Sequence, residues 1–410
     1  MSYVTRLGNE FRHEGKRYFM DGFNYYPLNI STISESSMRD LFSSAQKKGV
    51  KVFRFWLFDQ GKPPSNSAGN LRYLSGSTLL WREAQWVHVD MIADLAREYG
   101  LKLYPCLADN TPNYDTKATY VTWANAVYSS GLSTSYPYTG FFDSADCRTI
   151  LKELIFEFAN RVNTINGRVY KEDPTWNFLD IGNEMRYDVF DAEGGTQNTT
   201  NSTNIIKVLD WMEDIAGYSK SIAPNILVSC GGAEHTWNWV QGDTVSNGSG
   251  YGRDYRKEAL LTNIDFVDIH CYPNQGGTEL LKYGQRLGYP DAISGAGFRA
   301  QLRDYVTAVK ATMPVIMGEL GFDKNIVGST TYFPLNPRSR VAKEIMDEWY
   351  GAGADGVIWW HAATSDSGSY DVNIKGYGGL AVNSNSDDRP LMSVITRRIH
   401  YGKRIPISAE

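Results

Sequence analysis

Short apolar runs recur along this 410-residue chain, and segments with helical hydrophobic spacing separate them. Runs that are rich in β-branched and aromatic residues and bounded by turn residues predict buried strands. We predict eight strands: Tyr18–Tyr26, Val50–Leu57, Leu101–Leu107, the stretch that begins at Leu179, Ile226–Cys230, Asp265–His270, Pro314–Glu319 and Gly356–Trp360.

Amphipathic helices are predicted between these strands. Met38, Leu41, Phe42 and Ala45 follow the i, i+3, i+4, i+7 spacing of one helix face, and Gly49 ends that helix. The other apolar stripes run from Val87 to Tyr99, from Leu151 to Val162, from Ile205 to Ile215, from Leu302 to Val309 and from Val341 to Trp349, and a last helix is predicted from about Pro390.

Strands that alternate with helices are typical of a parallel sheet covered by helices. Eight such units favour an α/β fold in which the sheet closes into a (β/α)8 TIM barrel, with enlarged loops at the C-terminal face. Low-complexity linkers and internal repeats are absent from the sequence. We therefore expect a single barrel domain over residues 1–410, with a short N-terminal hairpin arm at about residues 1–17.

Six polar or aromatic side chains stand at the predicted C-terminal ends of five strands. Because barrel enzymes carry their active sites on this face, these residues are candidates for one site. Two of them are glutamates, which are costly to bury without a partner or a task. The six positions are Arg54, Asn183-Glu184, His270, Glu319 and Trp360, with Asn183 and Glu184 sharing one strand end.

Paired carboxylates at strand ends indicate acid–base chemistry at a sugar acetal. A structural alternative is that Arg54 or another cation merely holds each glutamate. A retaining glycosidase needs carboxyl groups about 5–5.5 Å apart, whereas an inverting one needs about 6.5–9.5 Å. The sequence alone leaves this distance open.

Composition narrows the choice of partners. The net charge is −5 and the chain has no basic run, which argues against nucleic acid. The aromatic share is 13%, with 11 Trp and 26 Tyr, and it fits either a packed core or a groove for stacking sugar rings. Five aromatic residues lie in segments predicted at the barrel mouth: Tyr114, Trp123, Trp237, Trp239 and Tyr272.

Other chemistries find little support. The six histidines show no pair at metal-ligand spacing, and no G-x-S-x-G motif is present, so we expect neither a metal site nor a nucleophile-elbow esterase. No organic cofactor is expected. Cys106, Cys147, Cys230 and Cys271 lack CxxC spacing. Three of them lie inside apolar strand-like runs, where we expect buried free thiols rather than a disulfide framework. We also expect no membrane-spanning segment and no signal peptide in this chain.

The order of these residues resembles that of clan A glycoside hydrolases, and within them family 5. The resemblance rests on an Arg after strand two, Asn-Glu after strand four, His-x-Tyr after strand six, Glu after strand seven and Trp after strand eight. These are Arg54, Asn183-Glu184, His270-Cys271-Tyr272, Glu319 and Trp360. The resemblance implies that Glu319 is the nucleophile and Glu184 the acid/base, with substrate-binding roles for Arg54, Asn183, Arg186, His270, Tyr272 and Trp360. We also expect Trp237, in a segment at the barrel mouth, to bind substrate.

A narrower resemblance points to the endo-β-1,4-mannanases. Residues 161–175, Gly22-Phe23-Asn24-Tyr25-Tyr26 and Phe58-Asp59-Gln60-Gly61 are similar to segments of those enzymes. The chain departs from them at Met185, where Pro is usual, and at Leu320, where Phe is usual. These changes leave the catalytic carboxylates in place.

The resemblance implies a retaining endo-β-1,4-mannanase that acts on mannan, glucomannan or galactomannan. Alternatives are another family 5 β-glycosidase, either a β-glucanase or an exo-β-mannosidase, and a non-catalytic carbohydrate-binding barrel. The expected partner is a β-linked polysaccharide or oligosaccharide, with no nucleic acid and no membrane. We expect a monomer that acts outside the cell.

Overall fold

The computed structural model describes residues 1–30, 33–58, 70–110, 116–135, 137–187, 202–232, 254–271, 296–321, 337–363, 372–373 and 395–397. Eight parallel strands form its central sheet. They are β1 (Gly22–Asn24), β2 (Val52–Trp56), β3 (Lys102–Cys106), β4 (Phe178–Asp180), β5 (Leu227–Ser229), β6 (Val267–Cys271), β7 (Val315–Gly321) and β8 (Val357–Trp360).

The sheet closes on itself. Hydrogen-bonded neighbours run in the order β5-β4-β3-β2-β1-β8-β7-β6. The two ends of this order meet where the Asp265 N–H donates to Val228 O at 2.8 Å. The Val228 N–H in turn donates to Asp265 Oδ2 at 2.9 Å. The predicted (β/α)8 barrel is confirmed.

Helices alternate with the strands. They are α1 (Glu35–Lys47), α2 (Glu83–Glu98), α3 (Lys117–Tyr128), α4 (Pro137–Asp143), α5 (Ala145–Asn160), α6 (Ser202–Ile222), α7 (Tyr255–Glu258), α8 (Ala296–Lys310) and α9 (Pro337–Gly351). None of the helices in the described ranges is long and apolar enough to cross a membrane.

Helix α1 matches its prediction. Ser34 caps its first turn by accepting a hydrogen bond from the Ser37 N–H. The four predicted apolar residues are buried, and Gly49 adopts a φ of +74° after the last turn. This positive φ favours glycine, which lacks the Cβ that would make it strained.

Two predicted helical stripes were partly wrong. In α2, Val87 is 42% exposed, while Trp86, Val89 and Ile92 are buried. A stripe of residues four apart turns about 40° further round a helix at each step, so Val87 lies off the core face. The stripe predicted to reach Val162 also runs too far, because α5 ends at Asn160 and Val162 is 54% exposed.

The N-terminal arm covers the bottom of the barrel. It is a three-stranded antiparallel sheet of Thr5–Leu7, Glu10–His13 and Lys16–Tyr18. The apolar run predicted as one strand from Tyr18 to Tyr26 therefore spans two elements, the last arm strand and β1. The arm buries Val4 and Phe11 against inward residues of the strands, including Phe178 and Phe266.

All four cysteines are buried and free, which confirms the prediction made for the three in strand-like runs. The last predicted helix, from about Pro390, lies mostly outside the described residues; residues 395–397 are helical.

Asn177 fastens the arm to the barrel. Its Oδ1 accepts from the Val4 N–H at 2.6 Å, and its Nδ2 donates to Val4 O at 3.0 Å.

We expect Asn177→Ala to lower the free energy of unfolding by about 2 kcal/mol, because it leaves both buried main-chain groups of Val4 unsatisfied. Denaturant unfolding measures this loss, and hydrogen exchange should quicken at the Val4 amide. Asn225→Ala, at an exposed turn position, is the matched control. Equal unfolding free energies for the two variants would contradict the role of Asn177.

Candidate active site

Arg54 lies at the centre of the barrel floor and is fully buried. Its Nε and Nη2 donate to Asp180 Oδ2 at 3.1 and 2.7 Å. Its Nη1 donates to Glu319 Oε1 at 2.6 Å and to Asn24 Oδ1 at 3.0 Å. Burial alone would lower the pKa of Arg54, but the charges of Asp180 and Glu319 outweigh it and hold the pKa well above its ordinary value.

Asn183 is oriented by its neighbours. Arg54 Nη2 donates to its Oδ1 at 2.8 Å, and its own Nδ2 donates to Asp109 Oδ1 at 2.9 Å. The amide therefore has a fixed direction, and its Nδ2 retains a second hydrogen for a ligand.

Asp180 shapes the turn that carries Asn183 and Glu184. Its Oδ1 accepts from the N–H groups of Gly182 and Gly231 at 3.0 and 2.8 Å. A Cβ at Gly231 would stand 2.9 Å from both Arg54 Nη2 and Asp180 Oδ2, so this close approach requires glycine. The ion pair and the turn are thus built as one unit.

Glu184 follows β4 in the left-handed backbone region, with a φ of +50°. Few residues other than glycine adopt this conformation, and where they do it often marks a functional site. The Glu184 N–H donates to Gly231 O at 3.2 Å. Its Oε1 lies 2.7 Å from Nδ1 of His270 on β6. The first contact fixes the main chain of Glu184, and the second places its carboxyl group beside His270.

Glu319 lies within β7, beside His270 in the register of β6 and β7. Its Oε2 is 3.5 Å from His270 Nδ1. Glu184, Glu319 and His270 each offer one ligand atom, and these atoms all lie within 4.8 Å of one another. The two glutamates that the sequence places about 135 residues apart (319 − 184) therefore face each other across one small space.

The same three atoms could in principle hold a metal ion. The permanent charge of Arg54 already pairs with Glu319, which reduces the negative charge left for a cation. The absence of a metal stays a prediction.

Aromatic rings form one wall beside the carboxylates. Trp360, at the end of β8, is half-buried and stacks on Tyr26 with ring centroids 5.5 Å apart and planes 13° apart. Trp56 packs against Trp360 at 5.7 Å and lies under the Arg54 guanidinium at 4.7 Å. A half-exposed ring of this kind offers a flat face to a sugar.

The remaining predicted site and mouth residues lie either outside the described residues or buried inside the protein. Tyr272 and Trp237 lie outside the described residues, as do Tyr114 and Trp239. Arg186 is 1% exposed, so its side chain lies within the protein rather than on an open surface, and its main-chain carbonyl accepts from Lys117 Nζ at 2.9 Å. Trp123 is also buried, and its ring packs on Arg72 at 4.8 Å. For Trp123 the sugar-stacking alternative was wrong and the packing alternative is confirmed.

The sequence reasoning missed five buried polar residues that lie next to Arg54, Asn183 or His270. They share one signal, a polar side chain inside an apolar strand run or directly after one. They are Asn24, Tyr104, Asp109, Asp180 and Asp268.

Comparison with known proteins identifies the family of the chain. The profile of a family described as GH family 5 β-mannosidase-like matches residues 1–389. The chain belongs to this glycoside hydrolase family. The predicted resemblance and enzyme class are confirmed.

Individual relatives and solved structures match most of the chain. Mannan endo-1,4-β-mannosidase 1 of Arabidopsis thaliana is 26% identical over 381 residues, which cover 89% of this chain and 83% of the relative. The crystal structure of the endo-1,4-β-mannanase from Rhizomucor miehei superposes with a TM-score of 0.76 at 22% identity, and the match covers 98% of this chain and 100% of that one. A family 5 mannosidase from the same fungus has a TM-score of 0.66 at 17% identity, covering 97% and 96% of the two chains.

The site requires the planar guanidinium fork of Arg54, whose Nε, Nη1 and Nη2 together donate to several partners. Arg54→Lys keeps the charge but cannot donate to Asp180, Glu319 and Asn183 together. We expect kcat/KM to fall by about 100-fold, because the glutamate and the amide lose their fixed positions. We also expect a loss of about 3 kcal/mol in unfolding free energy, because a buried carboxylate loses its partner.

Steady-state kinetics and thermal unfolding measure these two effects. Arg39→Lys is the control, because Arg39 pairs with Glu35 and Glu98 on the exposed surface. An Arg54→Lys enzyme with the kinetics of the control would show that the fork is dispensable.

Proposed function

We propose that the protein is a retaining endo-β-1,4-mannanase that hydrolyses internal β-mannosidic bonds of mannan, glucomannan or galactomannan. The observation that carries this proposal is the approach of the Glu184 and Glu319 carboxylate oxygens to within 4.8 Å. This approach fits the separation of about 5–5.5 Å between the carboxyl groups of retaining enzymes. An inverting enzyme would need room for a water molecule between them.

Glu319 is the proposed nucleophile. Arg54 donates to its Oε1 at 2.6 Å and stabilises the ionised form, and its Oε2 attacks the anomeric carbon. The bond from carbon to the leaving oxygen breaks as the bond to Oε2 forms, and a covalent glycosyl-enzyme results. The developing charge on the sugar ring is met by this buried carboxylate.

Glu184 is the proposed acid/base. In the first step it gives its proton to the glycosidic oxygen as the leaving sugar departs. In the second step it takes a proton from water, which attacks the anomeric carbon and releases Glu319. Two inversions give net retention.

Substrate contacts follow from the positions of the neighbouring side chains. The remaining Nδ2 hydrogen of Asn183 is suited to the 2-hydroxyl of the sugar at the cleavage point, a contact that strengthens in the transition state. Trp360 with Tyr26 offers a stacking face for the same sugar. We propose substrate-binding roles also for His270, Tyr272, Trp237 and Arg186, the last of which would act from a buried position.

The mannan assignment comes from the relatives. The Arabidopsis relative is a mannan endo-1,4-β-mannosidase by name and aligns over 89% of this chain. A substrate of this kind is a polymer outside the cell, so we propose that the protein is secreted. We also propose that it acts as a monomer.

Hydrolysis of β-1,4-mannohexaose, with products resolved by size over time, tests the proposal. We expect the wild type to release internal fragments first. Glu319→Ala and Glu184→Ala should each reduce kcat by about 10⁴-fold or more on this substrate, because each removes one partner of the double displacement. Glu153→Ala, on the exposed surface of α5, is the control.

Azide separates the two roles. It should restore turnover of an activated aryl mannoside in Glu184→Ala and give the β-azide, and in Glu319→Ala the α-azide. Release of single mannose units from the wild type would identify an exo-β-mannosidase, and cleavage of a β-glucan but not of mannan would replace the substrate. Binding without turnover would indicate a carbohydrate-binding barrel.

A further inference from the structure

A buried carboxylate that the proposed mechanism does not use lies directly beneath the site. Asp268 precedes His270 by two residues on β6, so both side chains point to the barrel interior. Its Oδ2 accepts from the Tyr104 hydroxyl at 2.8 Å. Its Oδ1 lies 3.7 Å from His270 Nε2, and a small rotation of either side chain would close this distance to a hydrogen bond.

The neighbouring strand leaves space for this carboxylate. Asp268 lies flat against Gly318 of β7, where a Cβ would stand 1.8 Å from Asp268 Oδ1 and 2.2 Å from Cγ. Any side chain at position 318 would displace it. A fully buried carboxylate is costly, and Arg54 already pairs with Asp180 and Glu319. A role beyond charge balance would explain a carboxylate at this position.

His270 connects Asp268 to the proposed acid. Its Nδ1 is 2.7 Å from Glu184 Oε1, while its Nε2 faces Asp268. A neutral imidazole carries its proton on one nitrogen only, and a partner on the other side decides which one. A proton on Nδ1 would be donated to Glu184 and would favour its ionised form. With the proton on Nε2, Nδ1 becomes an acceptor and favours a protonated Glu184.

We propose that Asp268 is a positioning residue that places the proton of His270 on Nε2, so that Nδ1 accepts the proton of Glu184 and keeps this glutamate in its acid form. The inference rests on the proposed role of Glu184. The negative charge of Asp268 acts in the same direction, because it also disfavours a second negative charge on Glu184. Glu184 keeps its proton and donates it in a hydrogen bond to Nδ1, until the glycosidic oxygen of the substrate replaces Nδ1 as the acceptor.

The charged groups around this pair set where it titrates. Asp268 faces Arg54 on β2, Tyr104 on β3 and Asp180 on β4, and His270 faces Glu184 and Glu319. Burial raises the pKa of Asp268 to about 7; Asp180 adds to this, whereas Arg54, Tyr104 and the Gly318 N–H oppose it. As pH rises through about 7, Asp268 ionises and begins to support the acid form of Glu184.

Asp268→Asn tests the role with almost no change in shape. Tyr104 would donate to the amide oxygen, which turns the NH2 group toward His270 Nε2 and forces the histidine proton onto Nδ1. Glu184 should then lose its proton at lower pH. We expect the basic limb of the kcat/KM profile for mannohexaose to move down by about one pH unit, with about a tenfold loss of kcat/KM above neutral pH.

The leaving group distinguishes a role in acid catalysis from a structural one. Dinitrophenolate departs without a proton, so we expect less than about a threefold loss of kcat with a 2,4-dinitrophenyl β-mannobioside. Asp210→Asn, on the exposed face of α6, should leave both substrates and the pH profile unchanged. Equal losses on both substrates with an unmoved basic limb would overturn the proposal.

Histidine tautomers give a second, direct measurement that needs no folded variant. Nitrogen-15 chemical shifts of His270 in the wild type at pH 8 should show the proton on Nε2, and a proton on Nδ1 would overturn the proposal. The azide experiment on Glu184→Ala keeps the two hypotheses separable. Rescue there with no effect of Asp268→Asn would reject the role of Asp268 alone, whereas failure of rescue would reject Glu184 as the acid/base.

Discussion

One buried guanidinium holds this site together. Arg54 has no access to solvent and satisfies its charge by pairing with Asp180 and Glu319, while it also donates to Asn24 and Asn183. A buried charge of this kind is stable only when each of its neighbours stays in place, so the geometry of the floor is fixed collectively. The proposed nucleophile therefore gains its charge and its direction from the same contact.

The closed barrel delivers these partners to one place. The register of the strands sets Asn24 beside Arg54 and His270 beside Glu319. Asp180 stabilises the turn after β4 by accepting from two backbone N–H groups. Glu184 follows in a left-handed backbone conformation, which brings its carboxyl group to His270. At the opposite end, the N-terminal arm fills the barrel with Val4 and Phe11, so the interior is solid beneath the polar floor. The apolar end stabilises the barrel, and the polar end carries the proposed active site.

The sequence predicted the parts of the structure that depend on local pattern. Apolar runs identified all eight strands, and polar residues at their ends located Arg54, Glu184, Glu319 and Trp360 on one face. It did not predict which polar groups pair, because pairing depends on the register between strands that are far apart in the chain. Asp180 and Asp268 were overlooked for this reason: inside an apolar run, one aspartate gives no sign of its partner. Trp123 shows the converse, since an aromatic residue near a barrel mouth can pack on Arg72 as readily as on a sugar.

The most direct test of the account is chemical labelling of the nucleophile. A 2-deoxy-2-fluoro β-mannoside with a good leaving group slows both steps and lets the glycosyl-enzyme accumulate in a retaining enzyme. Peptide mass spectrometry after digestion then locates the sugar. The account predicts one fluorosugar per chain, attached to Glu319, and no label in the Arg54→Lys enzyme over the same time. Label on Glu184, or no covalent label while the substrate is still turned over, would contradict it.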